Sequence, residues 1–353
     1  MLKIVRTSRR GFAAIAATTV AMPYFFVKAH AQTDPKRLVI YTWDGALGRF
    51  YDENWIKPFM QQFDVKVDTI PMVGASVQLD RVRAQIGAGR PESDLLPLHP
   101  HQAIFAQRNN MMFKIDSSSL AEASNYDPNF ITENGPRLVI WCYGLCYNTK
   151  LVAQAPTKWR DLWDPRFKGK AAINEALLEQ TVQMVNMAWN GRTTPIGDDV
   201  FQRLSALRPN LLTLWSNAAQ AEQLLRQGEI TITPFWNGRV YNLANEGVPL
   251  EFVVPEEGMF VRASLYAMPR NPTNPELMLK YLNFIMGAPR QKLLAEQFFY
   301  GSGNRQVQVS GDLARKIVTG VPANMTRAKS EDFAAILDSL GDWTKSWQRW
   351  KAA

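Results

Sequence analysis

Apolar residues fall in short blocks separated by turn residues and by longer stretches with helical spacing. Leu38-Val-Ile-Tyr-Thr-Trp43 is an apolar run stopped by Asp44-Gly45, which predicts a buried strand and a turn. Phe50, Trp55, Phe59 and Phe63 then recur at helical spacing, and Val65 to Ile70 alternates as a strand does. Gln78 to Ala88 reads as a polar helix closed by Gly89, and Asp94 to Leu98 as another buried strand. The pattern repeats further on, with strands at Ala171–Ile173, Ile230–Trp236 and Leu250–Val254, the second of them running into an Asn237-Gly238 turn. Helices are expected at Trp159–Trp163, Glu175–Asn190, Ala218–Arg226, Pro275–Met286 and Pro289–Phe299, the last broken by Gly301 and Gly303. The tail, Glu331 to Trp350, predicts a helix with Trp343, Trp347 and Trp350 on one face, covering the second half of the chain. Strands alternating with helices indicate α/β units with a largely parallel sheet. No period of about 20–50 residues recurs, which excludes a solenoid.

At 353 residues the chain is long enough for two lobes with separate cores. The formal charge of +8 suggests an anionic partner until it is located. Lys3, Arg6, Arg9, Arg10 and Lys28 carry five of those charges with no acid before residue 32, which leaves +3 on the remainder. The remainder is nearly neutral and has no basic stripe, so nucleic acid is excluded as a partner. The basic residues belong to a leader in which Arg9-Arg10-Gly11-Phe12 precedes the apolar stretch Phe12–Val27 and the small-residue site Ala29-His30-Ala31. A basic segment, a short apolar segment and such a site read as an export signal, and the paired arginines resemble a twin-arginine signal. Residues 1–31 are therefore expected to be removed, and the remainder to reside in a bacterial periplasm.

Export permits disulfides, but Cys142 and Cys146 lie in one β-branched and aromatic run. Extended, they are separated by about 13 Å, beyond the roughly 7 Å a disulfide spans. Two free, packing cysteines are expected.

Nucleophile-elbow, dinucleotide, phosphate-loop and zinc-protease signatures are all absent, and no cofactor is expected. His99 and His101 flank Pro100 with no third imidazole or thiolate close by, so they are read as lining a pocket or loop and not as metal ligands. What recurs is aromatic rings followed by turn residues: Tyr41-Thr-Trp-Asp-Gly45, Trp141-Cys-Tyr-Gly144 and Phe235-Trp-Asn-Gly238 end strands, and Phe299-Tyr-Gly-Ser-Gly-Asn304 ends a helix. Ligands of α/β sheets bind outside the carboxyl ends of strands. Rings at three such ends, including Trp141 and Tyr143, predict a small-molecule cleft walled by aromatics.

Four segments carry a resemblance to a known family: YTWDG (Tyr41–Gly45), APTKWRDLWDPRFKGK (Ala155–Lys170), ITPFWNGRVYNLANEGVPLEFVVPEEG (Ile230–Gly258) and NPELMLKYLNFIMGAPRQKLLAEQFFYGSGN (Asn274–Asn304). The chain resembles the extracellular solute-binding proteins of ABC importers, specifically the spermidine/putrescine-binding family. That resemblance implies a two-lobed α/β fold of the type II periplasmic binding protein class, with crossing strands as a hinge and the ligand trapped between the lobes. It implies lobe 1 at 32–140 plus 262–304 and lobe 2 at 141–261 plus 305–353. It further implies a small organic ligand, an inner-membrane ABC permease as partner, and a monomer with no catalytic activity. Trp43, Ser216, Trp236 and Tyr300 match the family's ligand-lining positions. The family's amine-gripping carboxylates fall instead at Ser264 and near Leu177 and Gln180, and a family tryptophan falls at Arg262.

Losing acids and gaining Arg262 reverses the preferred ligand charge, because an unpaired buried ammonium is costly while a guanidinium forks onto carboxylate or phosphonate. Ser216 at a helix N-terminus adds N–H donors, Asp44 can pair with an amine, and Arg239 beside Trp236 either assists or is a solvated charge. Arg262 otherwise pairs with Glu256 or Glu257 on the rim. A zwitterionic or anionic amine-type ligand is expected. A polyamine ligand is the alternative, with an exported enzyme or a chemoreceptor ligand sensor more distant.

Overall fold

Two long strands, Gly135–Asn148 and Met259–Ala267, run antiparallel through the centre of the molecule and carry everything else. A computed structural model describes residues 34–353 apart from 44, 73, 74, 90, 176 and 198. The leader, Met1–Ala31, and Asp44 lie outside the described residues.

On one side, Arg37–Thr42 and Lys66–Pro71 form a parallel pair. Leu95 bridges to Ile40 in parallel, and Leu96–Leu98 lies antiparallel to the far end of Met259–Ala267. On the other side, Ile232–Trp236 and Leu250–Val253 pair with the far end of Gly135–Asn148, and Ala171–Asn174 and Leu211–Trp215 extend that sheet. The expectation of a largely parallel sheet is therefore corrected. The outer pairs are parallel, but the two central strands belong to both halves and must run antiparallel to connect them. Both are buried on both faces, which is why they read as continuous apolar runs and not as alternating ones.

The helices follow the predicted spacing, with local shifts that have identifiable causes. Phe50–Phe63 is part of a continuous helical stretch from Gly45 to Phe63 whose middle turn, Asp52–Ile56, is π-helical. Pro58 has no N–H to give, and the Lys57 N–H reaches back five residues to Asp52 O. The helix expected from Glu175 starts at Leu178, because the Asn174 side chain takes the Leu177 N–H first. Asn217 caps Ala218–Gln227 by accepting the Gln220 N–H, and Gly228, at φ 67°, ends it. The Asn237-Gly238 turn is not a turn. It opens the helix Asn237–Asn245, and Gly238 is there because a Cβ would strike the Phe298 carbonyl and the Tyr300 ring.

The tail helix spans Phe333–Ala352 with Asp332 as its cap. Trp343, Trp347 and Trp350 are all buried in the main core. The helix does more than cover the second half: Asp338 pairs with Arg108 of the helix Pro100–Arg108, while Lys351 pairs with Glu175 and the Arg208 guanidinium lies 4.4 Å from the Trp350 ring. Cys142 and Cys146 are free and buried on one face of the long strand, and burial pushes both thiols well above their usual range. Among the described residues no helix is long and apolar enough to cross a membrane.

Candidate functional site

A pocket of about 180 Å³ opens where the ends of these elements converge. Trp43 follows the first strand, His99 links Leu96–Leu98 to the next helix, and Trp236 ends Ile232–Trp236. Trp141 and Val139 project from one face of Gly135–Asn148, Ser264 stands opposite Val139 in the sheet, and Tyr300 follows the helix Ala288–Phe298. Leu47, Leu177, Ala218 and Arg239 complete the lining.

The rings form a continuous wall. Centroids lie 5.0 Å apart for Trp43 and His99, 6.1 Å for His99 and Trp141, and 6.5 Å for Trp141 and Trp236, the last two edge to face. A ring that turns its face to the pocket attracts a cation through its π-system. Burial, then the neighbouring His101, push the His99 imidazole down from 6.5 to about 3, so it is neutral at ordinary pH. Burial likewise raises the Tyr300 phenol, with Arg239 pulling the other way.

Among the described lining residues the one charged group is Arg239. Its Nη1 donates to Glu222 at 2.9 Å, and both side chains are partly exposed. An α-helix also starts at the pocket edge, with Ala218 as its first residue.

Of the residues singled out in the sequence, the structure brings Trp43, His99, Trp141, Trp236, Ser264 and Tyr300 to this pocket. It sets four others apart. Ser216 is exposed, and its hydroxyl and N–H both face Gln220, because the helix cap is Asn217, one residue later. Tyr143 is wholly buried behind Trp236, at 6.1 Å between rings. His101 is buried alongside His99, with Nδ1 unpartnered among the described residues. Asp44 is not among the described residues.

Arg262 is the fourth, and the expectation of an anion fork there is corrected. Its guanidinium is buried and spent within the protein: Nε and Nη2 donate to the Glu331 carboxylate at 3.0 and 2.6 Å, Nη1 to Glu179 at 3.0 Å and Nη2 to Gln183 at 2.8 Å. The partners are not Glu256 and Glu257, which face Lys158 and the Trp159 N–H. Burial opposes the charge on Glu179, but Arg262 and His101 outweigh it and hold the carboxyl below its usual range. Burial also lowers the His101 imidazole, with Glu179 acting against it. Leu47, Val139 and Ala218 had no signal in the sequence, being ordinary core-type residues, whereas Leu177 was marked by the resemblance, as a place near which a family carboxylate falls. The nearby Trp236 was the only pointer to Arg239.

The model of the bacterial extracellular solute-binding protein family matches residues 54–320. A γ-aminobutyric acid-binding protein of Pseudomonas aeruginosa is 23% identical over 335 residues, covering 92% of this chain and 93% of that one. A spermidine/putrescine-binding periplasmic protein of Escherichia coli is 27% identical over 230 residues, 62% of this chain and 63% of its own. Among solved structures, the Atu4243–GABA receptor superposes with a TM-score of 0.79 at 20% identity, over 89% of this chain and 97% of that one. The likeness in shape establishes the two-lobed α/β fold of ABC-transporter substrate-binding proteins.

Proposed function

Because the chain belongs to the bacterial extracellular solute-binding protein family, we propose that it captures a small amino-carboxylate by lobe closure and delivers it to an inner-membrane ABC permease. The observation that carries this reading is Arg239, the one guanidinium among the described lining residues of a pocket in which five rings meet aliphatic side chains and Ser264. A guanidinium with one nitrogen held by Glu222 keeps further N–H donors for a carboxylate. The ring faces of Trp43, Trp141 and Trp236 suit an ammonium at the other end. A relative named for binding γ-aminobutyric acid, and a fold neighbour titled a GABA receptor, support the same ligand class.

In this reading the protein transports and does not catalyse, acts as a monomer, and works in the periplasm after twin-arginine export. Its lobes are 32–140 with 262–304 and 141–261 with 305–353, and contacts from both to one ligand favour the closed state. A diamine satisfies the rings but offers nothing to Arg239, so a polyamine is the weaker fit.

Titration calorimetry with γ-aminobutyric acid and putrescine tests this directly. The amino acid should bind more tightly, and Arg239→Ala should weaken it by at least tenfold, roughly one charge-assisted hydrogen bond. Undiminished binding by that variant removes Arg239 from the site. Tighter binding of putrescine assigns the protein to polyamines.

A further inference from the structure

Beside Trp141 lies a charge imbalance. Arg262 contributes one positive charge, and Glu179 and Glu331 contribute two negative ones, with all three side chains at most 5% exposed. Among the described residues neither carboxylate has a second ion-pair partner; His99 is neutral at ordinary pH, and burial lowers the His101 imidazole too, against the pull of Glu179 and Glu331. The cluster therefore carries one net negative charge, which burial alone disfavours strongly.

Its position relates it to the pocket. Arg262 stands opposite Trp141 in the paired strands, with the guanidinium 5.8 Å from the Trp141 ring and 5.7 Å from that of Phe333. Glu179 is two residues beyond Leu177, which lines the pocket. No carboxylate appears among the described lining residues. Out of water, a buried charge beside a pocket keeps a field that solvent would otherwise screen.

We infer that Glu331 is a specificity-determining residue: the surplus carboxylate paired to Arg262, beside Trp141, is the counter-charge for the ligand's ammonium. The inference rests on the amino-carboxylate reading of the pocket and adds the origin of its preference for an amine. Glu331 belongs to the tail, beyond the residues 54–320 that match the family, so the tail contributes to ligand choice as well as to packing. Removing Glu179 instead would leave Arg262 with Glu331 on both forks. Removing Glu331 leaves it with Glu179 and Gln183, and in either case the cluster becomes neutral.

The test uses the full chain and two probes of matched length, γ-aminobutyric acid and 4-hydroxybutanoate, which has a hydroxyl in place of the ammonium. Competition titration at low salt gives the ratio of their affinities. In Glu331→Gln that ratio should fall roughly tenfold toward the hydroxy acid, the effect of one desolvated charge, while Glu331→Asp retains most of the preference. The Gln side chain keeps one acceptor oxygen for Arg262 in place of two, and a thermal melt of each variant checks folding. Equal weakening of both probes assigns Glu331 a purely structural role and overturns the inference, as does an unchanged ratio. So does a ratio that collapses in Asp44→Asn and not in Glu331→Gln, which would place the counter-charge at Asp44. Failure of the unaltered protein to bind either probe counts against the reading of the pocket itself, and this inference falls with it.

Discussion

The imidazole of His99 lies between the rings of Trp43 and Trp141, and its pKa near 3 makes it an acid-sensitive element of the site. In the unfolded chain the same group takes a proton near pH 6.5. Between those values the unfolded state binds a proton that the folded state refuses, so stability rises with pH there. The contribution is fully present above pH 6.5 and is lost progressively as the pH falls toward 3. Melting temperatures should be flat from pH 8 to about 6.5 and decline below it. His99→Asn keeps a helix-capping side chain and should flatten the decline between pH 6.5 and 5; parallel curves for the two proteins would assign the acid sensitivity in that window to His101, the other buried imidazole. Arg262 teaches the complementary lesson at this scale. A lone arginine among lost acids looks like a ligand fork in a sequence, and only the positions of Glu179 and Glu331, 83 and 69 residues away in the chain, show that it is already paired.

At the scale of elements, the helix Asn237–Asn245 places the pocket's only described charge, Arg239, one turn after Trp236. That helix can approach the segment Phe298–Tyr300 only because residue 238 lacks a side chain. Gly238→Ala should therefore push the helix and Arg239 away from Tyr300. The expected result is a weaker affinity for the proposed amino-carboxylate ligand, while the gain in helix propensity of up to about 1 kcal/mol acts on folding and not on binding. Calorimetry beside a thermal melt separates the two effects, and an unchanged affinity would show that the contact with Phe298 and Tyr300 relaxes without cost. Asn237-Gly238 misreads as a turn for a plain physical reason: the pair is a strong local turn signal, and a close approach between helix and chain demands glycine just as a turn does. Asn237 itself is buried, its side chain accepting the Cys142 N–H and donating to Phe299 O.

For the whole molecule, the tail helix is a clamp. It holds Arg108 on one half, and Glu175 and Arg208 on the other, and it seats three tryptophans in the core. Trp347→Ala should lower stability by about 3–5 kcal/mol, as for a large aromatic removed from a packed interior. Chemical denaturation gives the value directly, and a loss below about 1 kcal/mol would mean that the helix rests on the core without being part of it.

Much of this architecture was legible in the chain. Strand and helix spacing, the aromatic residues at strand ends and the loop-helix segment Ala155–Lys170 identify two α/β units and a ring-walled cleft, because hydrophobic periodicity and turn chemistry are local properties. Trp43, His99, Trp141, Trp236 and Tyr300 were therefore within reach of the sequence, Ser264 was reached only through the family resemblance, and all six meet in one pocket. Which charges face that pocket was not a local property. Arg239 enters it and Arg262 leaves it according to which carboxylates are brought within about 3 Å, from Glu222 in one case and from Glu179 and the tail's Glu331 in the other. Ion pairing depends on separation in space and on burial, neither of which is written in the order of residues, so the electrostatics of the site were decided by the tertiary structure alone.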